Sequence, residues 1–230
     1  MGMVHGPNFV TDSLEIFLDA GNVKSYPGSG TAWSDLTGNG NTGTLGGPTY
    51  NSANGGHFTF DGSNDGIELP HNSYWTKTSS DSFSICLWAY VNTNASEYSA
   101  LFSHQDCNDP SIQIYVSGPT TSIYYRGHDA VNATYTANVT GAWFNVVATH
   151  NGSNQGLTLY FNGSSAATAT DSGSWSISSG GSEVWLGRRK WCGSTNELNG
   201  KIASFCYYSK LLSAAEVLQN YNAHKSRYGL

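Results

Sequence analysis

The run Ser82–Val91, SFSICLWAYV, constrains the chain more than any other stretch. Phe83, Ile85, Leu87, Ala89 and Val91 alternate with Ser84, Cys86, Trp88 and Tyr90, so a period of two puts large side chains on both faces. A strand of this kind predicts the middle of a sheet held between two covering layers. SIQIYV (111–116), SIYYR (122–126), WFNVVATH (143–150), LTLYF (157–161), SEVWLG (182–187) and GKIASFCYY (200–208) continue the strand pattern. Asn151-Gly152 and Asn162-Gly163 punctuate these runs, and Asn-Gly tolerates the positive φ of a tight hairpin.

Only the C-terminus reads as helix. In SAAEVLQNYNAHKSRYGL, Ser213 and Glu216 have capping-box spacing, and Ala214, Val217, Leu218 and Tyr221 form one stripe that would pack on the sandwich. Gly229 closes the pattern. Without an internal repeat or a Pro-rich linker, residues 12–230 read as one domain and residues 1–11 as a short N-terminal arm.

Charged residues make up only 11% of the chain, and Ser, Thr, Asn and Gly fill the gap. A polar, weakly charged surface suits a crowded assembly or neutral ligands such as glycans. The net charge of −6, with Arg188, Arg189 and Lys190 as the only basic cluster, argues against a nucleic-acid partner. No apolar run approaches a membrane span, and the first residues show no export signal. Cys86 and Cys206 fall in strand-like runs and read as small core residues, whereas Cys107 and Cys192 fall in loop-like stretches. The latter two are a candidate disulfide if the protein matures outside the cytosol, with free thiols the default.

Gly38, Gly40 and Gly43 in WSDLTGNGNTGTL match the G-x-G-x-x-G spacing of a dinucleotide loop. A helix must follow such a loop, and the Gly- and Pro-rich TLGGPTYNSANGG that follows here has no helical period. The glycines therefore read as backbone freedom in a tight loop pinned by Trp33 and Leu36. Asp35, Asn39 and Asn41 could offer hard oxygens to Ca²⁺, a candidate cofactor, but Asx-turns are the favoured reading of the same residues. Glu15 and Asp19, four apart on a strand, would share a face, yet no alternating acid run of the glycanase kind occurs. There is no G-x-S-x-G elbow, and the seven histidines include no H-x-H or H-E-x-x-H pair.

The blocks LDAGNVKSYPGSGTAWSDLTGNGNTGTL, FTFDGSNDGIEL, SFSICLWAYV, WFNVVATHNG with LTLYFNG, and NGKIASFCYYSKLLSAAEVLQNYNA together resemble a laminin G-like domain. This is the pentraxin-related branch of the concanavalin A-like lectin/glucanase superfamily, and the resemblance runs from about Leu14 to Leu230. The first and last blocks are similar to single-domain versions carried by tailed bacteriophages. The resemblance implies an all-β fold: a two-sheet antiparallel jelly-roll sandwich with one short C-terminal α-helix, loops at one rim and a concave face. It also implies binding of glycans, proteins or lipid head groups, often with calcium. Relatives commonly carry an acid after N-G-K-I, where this chain has Ala203 and Ser204, which speaks against a family-type calcium site.

The expected function is a non-enzymatic virion structural protein, a surface decoration or auxiliary adhesion protein on a phage capsid or tail. Its expected partners are other virion proteins in an oligomer or lattice, and a host-surface glycan. The alternatives are a free, secreted lectin or carbohydrate-binding module and, ranked below it, a glycoside hydrolase with an atypical site. Trp191, Trp75, His104 and Asp106 are the candidate glycan contacts, because they neighbour the expected rim loops and ring faces stack on sugar C–H surfaces. Core packing competes with that role for each tryptophan.

Overall fold

The doubly apolar run at Phe83–Val91 lies in the middle of a sheet that is covered on both sides. The computed structural model describes residues 8–92, 98–105, 111–117, 122–126, 131–177, 183–191 and 194–230. In chain order the strands are β1 (Leu14–Asp19), β2 (Ala32–Trp33), β3 (Gly43–Gly46), β4 (Thr49–Asn51), β5 (His57–Asp61), β6 (Gly66–Leu69), β7 (Lys77–Thr78), β8 (Phe83–Val91), β9 (Tyr98–Gln105) and β10 (Ser111–Ser117). They continue as β11 (Ser122–Arg126), β12 (Asn132–Tyr135), β13 (Trp143–Asn151), β14 (Gly156–Phe161), β15 (Ser164–Thr170), β16 (Ser176–Ile177), β17 (Glu183–Leu186), β18 (Arg188–Trp191), β19 (Ser194–Glu197) and β20 (Asn199–Tyr208), before helix α1 (Ala214–His224).

Two eight-stranded antiparallel sheets form the sandwich. The first runs β15-β14-β13-β8-β20-β5-β4, and β1 also pairs with β20. The far edge of β20 is shared end to end: Asn199–Ile202 pair with β5 and Ser204–Tyr208 with β1. The second sheet runs β12-β11-β10-β9-β17-β6-β3-β2. Between the sheets, Phe83, Ile85, Leu87, Ala89 and Val91 of β8 meet Phe102, Ile114 and Leu186 of the second sheet in one apolar core. Phe102 stacks on Phe205 of β20 with ring centres 5.8 Å apart.

The other face of the first sheet is the unusual one. Opposed residues Tyr160, Val147, Cys86, Cys206 and Phe17 form a row across β14, β13, β8, β20 and β1. This row would face water in a bare sandwich; here α1 and residues 8–11 cover it. Asn220 of α1 ties the cover together. Its Oδ1 accepts from the Val10 N–H (2.8 Å), its Nδ2 donates to the Tyr208 hydroxyl (2.9 Å), and that hydroxyl donates to the Val10 carbonyl (2.8 Å). Phe9 stacks on Phe17 at 4.8 Å. The part of the sequence-defined arm that is described, residues 8–11, is thus docked on the domain.

The expected capping box is present. Ser213 Oγ accepts from the Glu216 N–H, and Glu216 accepts from the Ser213 N–H. The expected stripe is corrected at Ala214 and Leu218, which are exposed, because the buried side of α1 is Val217 and Asn220, with Tyr221 stacked on Trp88. The helix ends at His224, and a 3-10 turn over Lys225–Tyr228 leads to Gly229 at φ 74°. Asn162 and Gly163 (φ 48° and 80°) make the two-residue hairpin turn that the sequence predicts. Asn151-Gly152 does not: a longer loop joins β13 to β14, because Asn151 Oδ1 accepts from the Ser153 N–H and Gly152 packs onto the Ser80 carbonyl.

Removing the Asn220 amide strands the buried Val10 N–H and takes away the N–H that the Tyr208 hydroxyl accepts from, which costs about 1–3 kcal/mol. Asn220→Ala should lower the unfolding free energy by that amount, seen as a lower urea midpoint at an unchanged m-value. The Glu216 carboxyl is held down to about 2, chiefly by its hydrogen bond from Lys210 and then by the Ser213 N–H. A depressed carboxyl stabilises the fold fully above its unfolded value of about 4.5, and that contribution fades as pH falls toward about 2. In acid titrations of stability, Glu216→Gln should lack this part of the slope.

Candidate functional site

The loop containing Asp35, Asn39 and Asn41 runs along the outer edge of β1. Asp35 Oδ1 accepts from the N–H groups of Phe17 and Thr37, both at 3.0 Å. Its Oδ2 accepts from Thr37 Oγ1 (2.8 Å) and from the Asn41 N–H (3.1 Å). Asn41 and Asn39 turn their amide nitrogens inward and donate to the Glu15 carbonyl at 2.9 and 3.1 Å, while Asn41 Oδ1 accepts from Asn72 Nδ2. The Leu36 N–H donates to the Phe17 carbonyl. A calcium ion needs six to eight oxygens aimed at one point, and these oxygens are already aimed at N–H and O–H hydrogens. The three residues do not fit the ion; the loop instead saturates the open edge of β1. Gly38 and Gly40 sit at φ 85° and 80°, as a tight loop requires. Gly43 serves differently: a Cβ there would lie 3.0 Å from Ile67.

Glu15 and Asp19 do not act together. A bulge at Glu15 breaks the register of β1, and Glu15 bonds to Ser209 Oγ while Asp19 holds Arg227 through two bonds of 2.9 and 3.0 Å. The carboxyl of Asp65 is raised by burial, as a general acid's would be, but it is shut in the β5–β6 turn and accepts from the Asp61 N–H.

Two of the four proposed glycan contacts are core residues, which corrects the expectation for them. Trp75 is 2% exposed, donates from Nε1 to the Pro70 carbonyl, and packs against Phe102 and Tyr207. His104 is 1% exposed beside Trp75, and burial together with Lys77 and His71 pushes it down to about 3. In both cases the alternation of β9 and the 3-10 turn at Ser73–Trp75 direct the ring inward. Trp191 ends β18, but its side chain lies outside the described part of the structure. Asp106, Cys107 and Cys192 lie outside the described residues.

A different constellation lies on the outer face of the second sheet. The register aligns Thr44, Glu68, Trp185, Ser103 and Gln113 in one row across five strands. The β18–β19 hairpin lies over β9 on this face. The Ser103 hydroxyl donates to the Arg188 carbonyl (2.9 Å), and the Gly187 N–H donates to the Leu101 carbonyl (3.1 Å). Gly187 has φ 71°, and a Cβ there would lie 2.2 Å from the Phe60 ring, so only glycine can start the hairpin.

Beside the hairpin, the half-buried Trp185 donates from Nε1 to Glu183 Oε2, and Lys190 donates to Glu183 Oε1, both at 2.9 Å. Burial raises the Glu183 carboxyl, but the bonds from Lys190 and Trp185 outweigh it and hold the group below its ordinary value. The guanidinium of Arg188 lies 5.5 Å from the Trp185 ring centre and 3.7 Å from Glu197. Arg189 lies 5.5 Å from the Tyr98 ring, which stacks on Tyr115 at 4.2 Å. The one basic cluster of the sequence therefore sits among aromatic rings and carboxylates that balance its charge.

This face offers indole and phenol rings, amides, hydroxyls and paired charges, a set suited to holding a polyhydroxylated ring. Trp185 lies within a strand, so nearness to a loop does not single it out. The phase of SEVWLG carried the signal: Trp185 alternates with Val184 and Leu186 and shares its face with Glu183.

A family model for the concanavalin A-like lectin/glucanases superfamily matches residues 61–218. No curated protein matches the chain in sequence. Among solved structures, Trypanosoma rangeli sialidase in complex with sialic acid is similar at a TM-score of 0.72 and 12% identity, over 95% of this chain and 34% of that chain. Domain 4 of AbnA, an extracellular arabinanase from Geobacillus stearothermophilus solved with arabinotriose, has a TM-score of 0.64 and 19% identity, covering 91% of this chain and 98% of that one. The binding domain of botulinum neurotoxin serotype G has a TM-score of 0.66 and 18% identity, over 90% of this chain and 50% of that one. The chain thus spans about a third of the sialidase, and identities this low show a shared fold alone.

Asp35→Ala strands the backbone N–H groups of Phe17, Thr37 and Asn41, and should cost about 2–3 kcal/mol in chemical denaturation. Since the loop is an edge cap, adding calcium or a chelator should leave the melting temperature of the wild-type protein unchanged.

Proposed function

Since the chain belongs to the concanavalin A-like lectin/glucanase superfamily, we propose that it is a non-enzymatic glycan-recognition module that binds sugar on the outer face of its second sheet. The observation that carries this reading is the half-exposed Trp185, held by Glu183 and flanked by Arg188 and Lys190 in a row of polar side chains. An indole fixed in this way gives a sugar ring an apolar surface, and the surrounding carboxylate, amide and hydroxyl groups bond its hydroxyls. The fold of the arabinanase domain solved with arabinotriose supports a neutral sugar as ligand. The pairing of cations with carboxylates on this face, Arg188 with Glu197 and Lys190 with Glu183, supports the same choice.

The place of display we propose is the surface of a phage particle, on a capsid or tail, where the module would touch a host glycan. Its support is the resemblance of the first and last sequence blocks to phage proteins, together with a surface poor in charge. Recovery of the chain at stoichiometric copy number in purified particles tests that placement, and its absence there would leave a free lectin or carbohydrate-binding module.

On a panel of neutral oligosaccharides, Trp185→Ala should weaken binding at least tenfold, about 1.4 kcal/mol, with the melting temperature preserved. Trp185→Phe should retain part of the affinity. Equal binding by wild type and Trp185→Ala would refute this location, and wild-type failure on every glycan would refute the function.

A further inference from the structure

We propose that Cys86 and Cys206 are a built-in dithiol that closes, in the presence of a small-molecule disulfide, into a staple across the centre of the first sheet. The two residues are direct partners in the antiparallel β8–β20 ladder. Directly opposed residues in such a ladder have Cα atoms about 4.5 or 5.5 Å apart and side chains on one face. Both spacings lie inside the range of about 4.4–6.8 Å that a disulfide spans. The side chains belong to the same apolar cluster under α1, with Val147, Tyr208 and Val217. Both cysteines are free thiols, 5% and 4% exposed.

The cover decides when the bond can form. Phe9, Trp88, Asn220 and His224 line the small space above the sulfurs. Burial pushes both thiols well above their ordinary values, so the docked protein holds almost no thiolate, which is the attacking species. Closure therefore belongs to the open state, when residues 8–11 and α1 are lifted from the sheet. One thiolate attacks the small-molecule disulfide, releases one thiol and leaves a mixed disulfide on the chain. The second thiolate displaces the other half, so the chain gives up two protons and two electrons and the reagent becomes two thiols. The finished bond closes a loop of about 120 residues in the unfolded chain and locks together two central strands, and long loops gain most from such a link.

The test uses the full-length reduced protein and oxidised glutathione. In buffer alone the protein should resist oxidation. With enough urea to release the cover, or in Asn220→Ala, oxidation should be at least tenfold faster. Non-reducing proteolysis with mass spectrometry should then show a peptide linking residues 86 and 206, and its mass should be short by two hydrogens. The linked protein should melt at a higher temperature than the reduced one, and dithiothreitol should reverse the shift. If both cysteines remain open to alkylation after this treatment, or link instead to residue 107 or 192, the proposal fails. Equal oxidation rates with the cover docked and released would overturn the role given to the cover.

Discussion

The first sheet has two apolar faces, and the rest of the molecule is arranged to keep water from both. One face is closed by the second sheet, through contacts such as the stacked Phe102 and Phe205. The other is closed by α1 and by residues that arrive from the opposite end of the chain. Asn220 joins these distant pieces by bonding the Val10 backbone and the Tyr208 hydroxyl at once. An isolated helix of eleven residues is marginal in water, so α1 owes its stability to this seat as much as to its capping box. The cover in turn shields the paired thiols of Cys86 and Cys206, so one packing decision governs both stability and thiol chemistry.

Edges pose the complementary problem, because an open strand is a template for a foreign one. β20 is satisfied on both sides by dividing its outer edge between β5 and β1. β1 then has an open edge of its own, and the Asp35–Asn41 loop covers it with a carboxylate for its N–H and amides for its carbonyl. The chemistry that suggested a phosphate or calcium site is thus spent on the protein's own backbone. On the outer face of the second sheet, the β18–β19 hairpin brings cations to Trp185 and Tyr98.

Much of this was legible in the residues. The alternation of Phe83–Val91 announced a strand covered on both faces, Ser213 and Glu216 marked the helix start, and Asn162-Gly163 marked a tight turn. Other signals were ambiguous because a local pattern does not say what lies opposite. Trp75 sits in a turn and Trp185 in a strand, yet the first fills the core beside Phe102 and the second stands outward next to Glu183. Leu218 belongs to the helical stripe by spacing but is exposed, since the polar Asn220 takes the buried place that a sequence rule assigns to an apolar residue.

By itself, the sequence determined the period of each strand, the cap of the helix and the glycines that turn the chain. Those properties depend on neighbours a few residues away and on the φ angles that each residue tolerates. The tertiary structure alone decided what covers each face of the first sheet, that Cys86 meets Cys206, and that Asp35 caps an edge. It also placed Trp75 in the core and left Trp185 on the outer face of the second sheet. These outcomes rest on pairings between residues many positions apart, where register and the competition for buried partners decide what local pattern leaves open.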